Sequence, residues 1–236
     1  MSNLKNFKIK DGVLKKYYGV YRENVVIPKG VTVIDKNAFS GCTAITGITI
    51  PKGVESIGEN AFKRCESLTS IIIPDGVKSI GNNAFIGCEN LKSITLPKGV
   101  ESIGENTFKR CKSLISIIIP DGVKSIGDHA FIGCENLKSI TIPPSLTSIG
   151  SEVFCDCFTD VKVEIRDFES FCNIRLGTRL GVVYRLYLNG EELTELVIPE
   201  GMTNIGNDTF CGCSSLTNII IPDSVTSIGK IGRAHV

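Results

Sequence analysis

The chain has no tryptophan, only two histidines and two methionines, and almost no net charge: 26 Lys plus Arg face 25 Asp plus Glu in 236 residues, a formal +1. With both signs interspersed there is no basic stripe to steer it onto a phosphate backbone, so nucleic acid is not expected as a partner. No run approaches the ~18 apolar residues that a membrane span needs. The start, Met1 to Lys10, also lacks the apolar stretch of a secretory signal. As written, the chain is therefore expected in the cytoplasm, with cell-surface display only where the natural ends carry a signal or an anchor. Catalytic signatures are equally scarce, since Gly-x-Gly-x-x-Gly, P-loop and His-Glu-x-x-His sequences are all missing. His235 lies near the end, and His129 follows Asp128 where the preceding copy has Asn82 and Asn83, a solvated turn pair. These exclusions point to a chain that is not an enzyme and takes no cofactor and no metal.

What the sequence does have is a period. Cys42, Cys65, Cys88, Cys111, Cys134 and Cys157 fall every twenty-third residue, and their neighbours repeat with them. A fixed period between 20 and 30 marks stacked coils sharing one continuous core. Units begin at Val25, Ile48, Ile71, Ile94, Ile117 and Ile140, then at Leu196 and, truncated, at Ile219. Above the unit sits a duplication: residues 48–93 and 94–139 differ only at Ile50/Leu96, Ala61/Thr107, Glu66/Lys112, Thr69/Ile115, Asn82/Asp128 and Asn83/His129.

Within one unit, Ile71 and Ile73 face one way and Ile72 the other, a short strand closed by Pro74. Pro74-Asp75-Gly76 turns the chain, Val77 and Ile80 point inward again, and Gly81 is expected to serve a left-handed corner. Phe85, Cys88 and Leu91 follow at three-residue spacing, which suits a brief helical or 3₁₀ segment with Asn82 or Asn83 as its cap. The fold class is a mostly β repeat solenoid of about 23 residues per coil: short parallel strands, about 4.8 Å apart, joined through turns. Stacking in register would set like charges over one another, but signs alternate along Lys52, Asp75, Lys98, Asp121 and along Glu55, Lys78, Glu101, Lys124. Exposed pairs of this kind are worth ~0.2 to 1 kcal/mol each, enough to favour one register.

The pattern Leu68-x-x-Ile71-x-Ile73-Pro74-x-x-Val77-x-x-Ile80-Gly81-x-x-Ala84-Phe85-x-x-Cys88 resembles the BspA-like class of leucine-rich repeats, and recurs over most of residues 25–229. The resemblance implies a leucine-rich-type solenoid acting as an interaction module, some relatives being cell-surface adhesins for host matrix proteins.

Around the regular coils, residues 1–24 read as a cap hairpin, with Phe7-Lys-Ile and Val13 to Tyr17 flanking Asp11-Gly12. Leucine-rich repeats occupy 25–157 and, truncated, 196–229. Residues 158–195 are expected to form one irregular, enlarged coil. In it Val161, Val163 and Ile165 alternate as a strand, Asp167 caps a short helix through Phe168, Phe171 and Cys172, and Asn189-Gly190 turns a hairpin. The tail 230–236 abandons the repeat. Ile231 to Val236 matches codons that resemble a sequencing-library adapter read in frame, so the natural chain is expected to continue; if the tail is genuine, the last coil leaves an open parallel edge.

Of ten cysteines, seven (the six in series and Cys213) hold one repeat position and read as small buried apolar residues. Stacked parallel side chains fit the ~90° disulfide torsion poorly. Cys155-x-Cys157 and Cys211-x-Cys213 are too closely spaced for the usual zinc pairs, which are two to four residues apart.

The remaining candidate is the outward strand face: Thr49, Ile72, Thr95, Ile118, Thr141, Val197 and Ile220, preceded by small or polar residues such as Ser70, Ser93, Ser116 and Ser139. This strip is expected to line the concave side of the array and to be uncharged and flat. It suits a protein or extended-chain partner of unknown identity, or is simply a β surface of favourable propensity. Near-identical copies make the surface periodic, which suits a repeating partner. The reading is a noncatalytic protein-interaction module. The alternatives are a structural spacer array in a longer protein whose missing C-terminal part carries function, or an enzyme appended to that part.

Overall fold

A computed structural model describes residues 4–20, 24–157, 160–177 and 183–229; the tail 230–236 and its expected break lie outside them. Each coil contributes a three-residue strand and a two-residue strand, followed by turns. The longer strands stack in parallel with a 23-residue offset: Asn24–Val26, Gly47–Thr49, Ser70–Ile72 and Ser93–Thr95 in one ladder. Ser116–Ile118, Ser139–Ile142, Val161–Ile165 and Tyr184–Leu188 follow in a second ladder, with Ser93–Thr95 and Ser116–Ile118 lying side by side where the two meet. The shorter strands form their own column from Val33–Ile34 through Ser79–Ile80, continued from Ser102–Ile103 to Arg175–Leu176. At its head sits a hairpin of Phe7–Lys10 and Val13–Tyr17, turned at Asp11 and Gly12 with φ of 50° and 74°. Val13–Tyr17 pairs in parallel with Val33–Ile34.

The expected core residues Ile71, Ile73, Val77, Ile80, Phe85, Cys88 and Leu91 are all buried, and Ala84 joins them. The side expected to be helical is a run of turns. In the coil at Phe62, Ala61, Lys63, Cys65 and Leu68 donate to the carbonyl three residues back, a 3₁₀ pattern. The alternate N–H groups of Asn60, Phe62 and Arg64 instead donate to Asn82, Ala84 and Ile86 of the next coil at 2.8–3.0 Å. A continuous helix would spend these donors internally and leave that side of the coils unlinked. Left-handed Asn60 and Arg64, both at φ 54°, break the helix and turn the donors outward.

The reason for Gly81 also differs from expectation. The left-handed corner falls two residues later, on Asn83 at φ 58°. A Cβ on Gly81 would sit 2.5 Å from Glu59 N and 2.8 Å from Gly58 C, so glycine is there because the preceding coil's backbone passes too close for a side chain.

Equivalent phenylalanines form a ring column through the core. Phe39, Phe62, Phe85, Phe108, Phe131 and Phe154 stack with centroids 5.2–5.7 Å apart and planes within 7–14°. Tyr17 of the hairpin covers Phe39 at 5.2 Å. Beside them the thiols of Cys65, Cys88, Cys111 and Cys134 donate to the carbonyls of Phe39, Phe62, Phe85 and Phe108 at 3.2–3.3 Å. The cysteine position is therefore a small side chain that also supplies a weak donor to the neighbouring coil.

The stretch read as one enlarged coil holds two rungs of the longer-strand ladder, because Val163 lies over Ile140 and Leu186 over Val163 at the regular offset. The surplus is a hairpin turned at Asn189 and Gly190, in which Glu191–Glu192 runs antiparallel to Tyr184–Leu188. Asp167 caps the helix Phe168–Cys172 by accepting from Ser170 N at 2.7 Å, and the Ser170 hydroxyl together with this N–H holds its carboxyl below the usual value. Where the phenylalanine column ends at Phe154, a cavity of about 20 Å³ remains among Ile140, Ile149, Phe171 and Tyr184. Beyond the hairpin, Glu195–Val197 pairs with Asn218–Ile220 and Asn204–Ile205 with Ser227–Ile228.

Candidate functional site

The outward residues of the longer strands form a strip because strand alternation buries Ile71 and turns Ile72 out. Val26, Thr49, Ile72 and Thr95 are register partners in one ladder, and Ile118 and Thr141 in the next. Ile72 is 71% and Ile118 65% exposed, although most isoleucines of the chain are buried; Thr141 is half-buried. Val26, 49% exposed, is the rung that sequence reasoning missed. Its signal was present: Val25 and Ile27 bracket it as Ile71 and Ile73 bracket Ile72.

Val197 and Ile220 are exposed but belong to a separate two-stranded ladder beyond the hairpin, so the structure does not bring them onto the same strip. Between the two lies charge. Thr141 is followed in register by Glu164 and then Tyr187. Lys162 Nζ lies 3.0 Å from Glu164 and 4.2 Å from the centre of the Tyr187 ring. Arg185 donates twice to Glu192, at 2.6 and 2.7 Å, and is held still more firmly in its charged form by it. Tyr187 donates to Glu192 Oε2 at 3.2 Å, and Glu164 accepts from Gly190 N at 2.6 Å. This cluster satisfies its own charges and closes the uncharged strip at one end.

The alternating ladders beside the strip form ion pairs in places. Lys124 reaches Glu101 at 3.0 Å, while Asp121 meets Arg166, two coils on, at 3.0 Å across Pro144. Both lie in solvent and are worth little singly.

The other chemical candidates are occupied by stacking. Asp128 Oδ1 accepts from Ser151 N at 2.7 Å, as Asn82 Oδ1 accepts from Glu105 N at 3.0 Å one duplication earlier. His129 sits at φ 58° with Nε2 3.5 Å from Glu152, so the Asp128-His129 pair faces two different groups of the next coil. Burial pushes the thiols of Cys111 and Cys134 well above their ordinary range and those of Cys157 and Cys172 up to about 12. Such thiols are poor nucleophiles and poor metal ligands. Among the described residues no group of three or more His, Cys, Asp or Glu is arranged to hold a metal ion, and no helix is long and apolar enough to cross a membrane.

The model of the BspA type leucine rich repeat region matches in six copies, over residues 9–114, 101–175 and 183–231. Among curated proteins none matches the chain. A leucine-rich repeat protein from Bacteroides ovatus is 29% identical with a TM-score of 0.62, covering 94% of this chain and 62% of its own. The chain thus spans less than two thirds of that relative's length. The T. pallidum leucine rich repeat protein is 25% identical, TM-score 0.65, covering 98% of this chain and 99% of its own. A leucine rich cell surface protein from Faecalibacterium prausnitzii is 26% identical, TM-score 0.63, with coverage of 97% and 70%.

Proposed function

Because the chain belongs to the BspA-type leucine-rich repeat family, whose repeats generally bind proteins and are generally noncatalytic, we propose that it is a protein-interaction scaffold whose partner lies across the strip from Val26 to Thr141. One observation carries this reading: isoleucines at Ile72 and Ile118 stand in solvent on a continuous uncharged face of an otherwise isoleucine-packed fold. The spacing of the coils supports placing that face on the concave side. Phenylalanine rings on the turn side repeat every 5.2–5.7 Å, whereas parallel strands repeat at about 4.8 Å, so the array bends toward its strands. Val197 and Ile220 are a second contact patch on this reading, separated from the first by the Lys162–Glu192 cluster. An adhesin-like role at a cell surface is the form of binding we favour, supported by the surface description of the Faecalibacterium prausnitzii relative. The 46-residue duplication favours a second reading, a spacer array, since near-identical copies lengthen a solenoid without changing its face.

A photo-crosslinking side chain placed at Ile118 or, as control, at exposed Glu66 on the turn side separates the two. Binding through the strip gives a defined set of polypeptide adducts at Ile118 and none at Glu66. Equal labelling at both positions leaves only the spacer.

A further inference from the structure

The strip has a finer period than the repeat. Its apolar members, Val26, Ile72 and Ile118, recur every second coil, and Thr49, Thr95 and Thr141 occupy the coils between. At about 4.8 Å per coil, successive apolar side chains lie ~9.6 Å apart. Serines stand beside Ile72, Thr95 and Ile118 on their rungs, and among the described residues the side-chain hydroxyls of Thr49, Ser70, Ser93, Thr95 and Ser116 have no hydrogen-bond partner within the protein. The face therefore offers apolar seats at one spacing and unused donors between them, with no charge.

Few backbone conformations fit that spacing. An extended strand repeats a side chain on one face every ~6.6 Å. An α-helix does so every seven residues, ~10.5 Å, and its carbonyls are already bonded within the helix. A polyproline II segment repeats every third residue at ~9.3 Å and leaves all its carbonyls free to accept. Over the hydrogen-bonded step from Val26 to Ile72 it drifts by ~0.3 Å, against ~0.9 Å for the helix.

Resting on the strand-face reading above, we propose that the strip is a track for an uncharged, proline-rich polypeptide in the polyproline II conformation. Every third residue packs against Val26, Ile72 or Ile118, and the carbonyls between accept from the threonine and serine hydroxyls. Charge complementarity favours this occupant, because a neutral chain meets a neutral face, while a chain charged with one sign would lie alongside ladders that present both signs in alternation. The track is short. Five coil intervals give ~24 Å, about eight residues of polyproline II, before the matched charges of Lys162, Glu164, Arg185 and Glu192 interrupt it.

The test is methyl NMR on the full chain labelled at isoleucine and valine, titrated with a blocked twelve-residue oligoproline. The comparison ligands, of equal length, are a neutral alanine- and glutamine-rich helical peptide and a blocked glycine-serine peptide. Oligoproline is expected to shift the Val26, Ile72 and Ile118 methyls saturably and to bind at least tenfold tighter than either comparison peptide. The double variant Ile72→Ser, Ile118→Ser, which changes only solvent-exposed side chains, is expected to weaken it at least tenfold with an unchanged circular dichroism spectrum. No shift at these methyls with oligoproline overturns the proposal. Shifts there with the helical or glycine-serine peptide at equal or better affinity also overturn it but keep the strand face as the docking surface. Adducts distributed equally between Ile118 and Glu66 in the crosslinking experiment remove both.

Discussion

Replacing Phe85 by alanine tests whether the aromatic column holds the array together. Phe85 is fully buried and stacks on Phe62 at 5.2 Å and on Phe108 at 5.7 Å. A buried Phe→Ala change costs about 3–5 kcal/mol through lost transfer and the cavity left behind. Two aromatic pairs, each worth ~0.5–1.5 kcal/mol beyond area, place this site at the upper end, about 4–5 kcal/mol. Phe154 provides the internal control. It has one stacked neighbour, Phe131 at 5.6 Å, and already borders a cavity of about 20 Å³, so Phe154→Ala is expected to cost about 3 kcal/mol. Coils touch only their neighbours, so the loss at Phe85 also uncouples the two halves of the array. Urea unfolding followed by circular dichroism gives the two costs, the chain having no tryptophan to report by fluorescence. Native hydrogen exchange read by mass spectrometry should show the coils on either side of Phe85 opening as separate units. A cost below about 2 kcal/mol at Phe85, or one no larger than at Phe154, would refute the column as the main axial support.

The buried thiols set an alkaline limit. Cys157 and Cys172 are raised from 9.0 to about 12 in the native state, mainly by burial, so above pH ~9 the unfolded chain loses thiol protons that the folded chain keeps, and stability falls as pH rises toward about 12. Each such thiol contributes a slope of at most ~1.4 kcal/mol per pH unit, and Cys134→Ala should flatten the fall of the urea midpoint between pH 9 and 11 under reductant. A variant slope equal to that of the parent would show that the Cys134 thiol contributes nothing to the fall. Gly81→Ala should cost more than about 2 kcal/mol, since its Cβ would meet backbone at 2.5 Å, whereas Gly41→Ala, with nothing within 4 Å and φ 78°, should cost roughly 1 kcal/mol from backbone strain alone. Thermal melts giving the reverse order would remove close coil stacking as the reason for Gly81.

The coil length, the inward residues and the small cysteine position were legible because each recurs at a fixed interval, and repetition turns a weak local pattern into a strong one. The strip was legible for the same reason from Thr49 to Thr141. Val26 escaped notice only because its coil follows the cap rather than another repeat. The residues between Thr141 and Val197 were misdivided. Val163 and Leu186 keep the 23-residue step, but Gly177 occupies the position where each preceding coil has phenylalanine, and the hairpin at Asn189 and Gly190 adds residues that shift the next unit out of phase. A period counted along the chain cannot distinguish an enlarged coil from a regular coil plus an inserted hairpin, because both give the same residue count.

By itself, then, the sequence determined the solenoid, its period and the uncharged outward face, since hydrophobic alternation and a 23-residue repeat leave no other way to bury Ile71, Phe85 and their equivalents together. Only the tertiary structure decided how the turn side is bonded, why Gly81 is glycine, and where the strip ends. Those three depend on distances between coils: donors shared with the next turn of the chain, a backbone passing within 2.5 Å of a missing Cβ, and Lys162, Tyr187 and Glu192 meeting across strands paired in register.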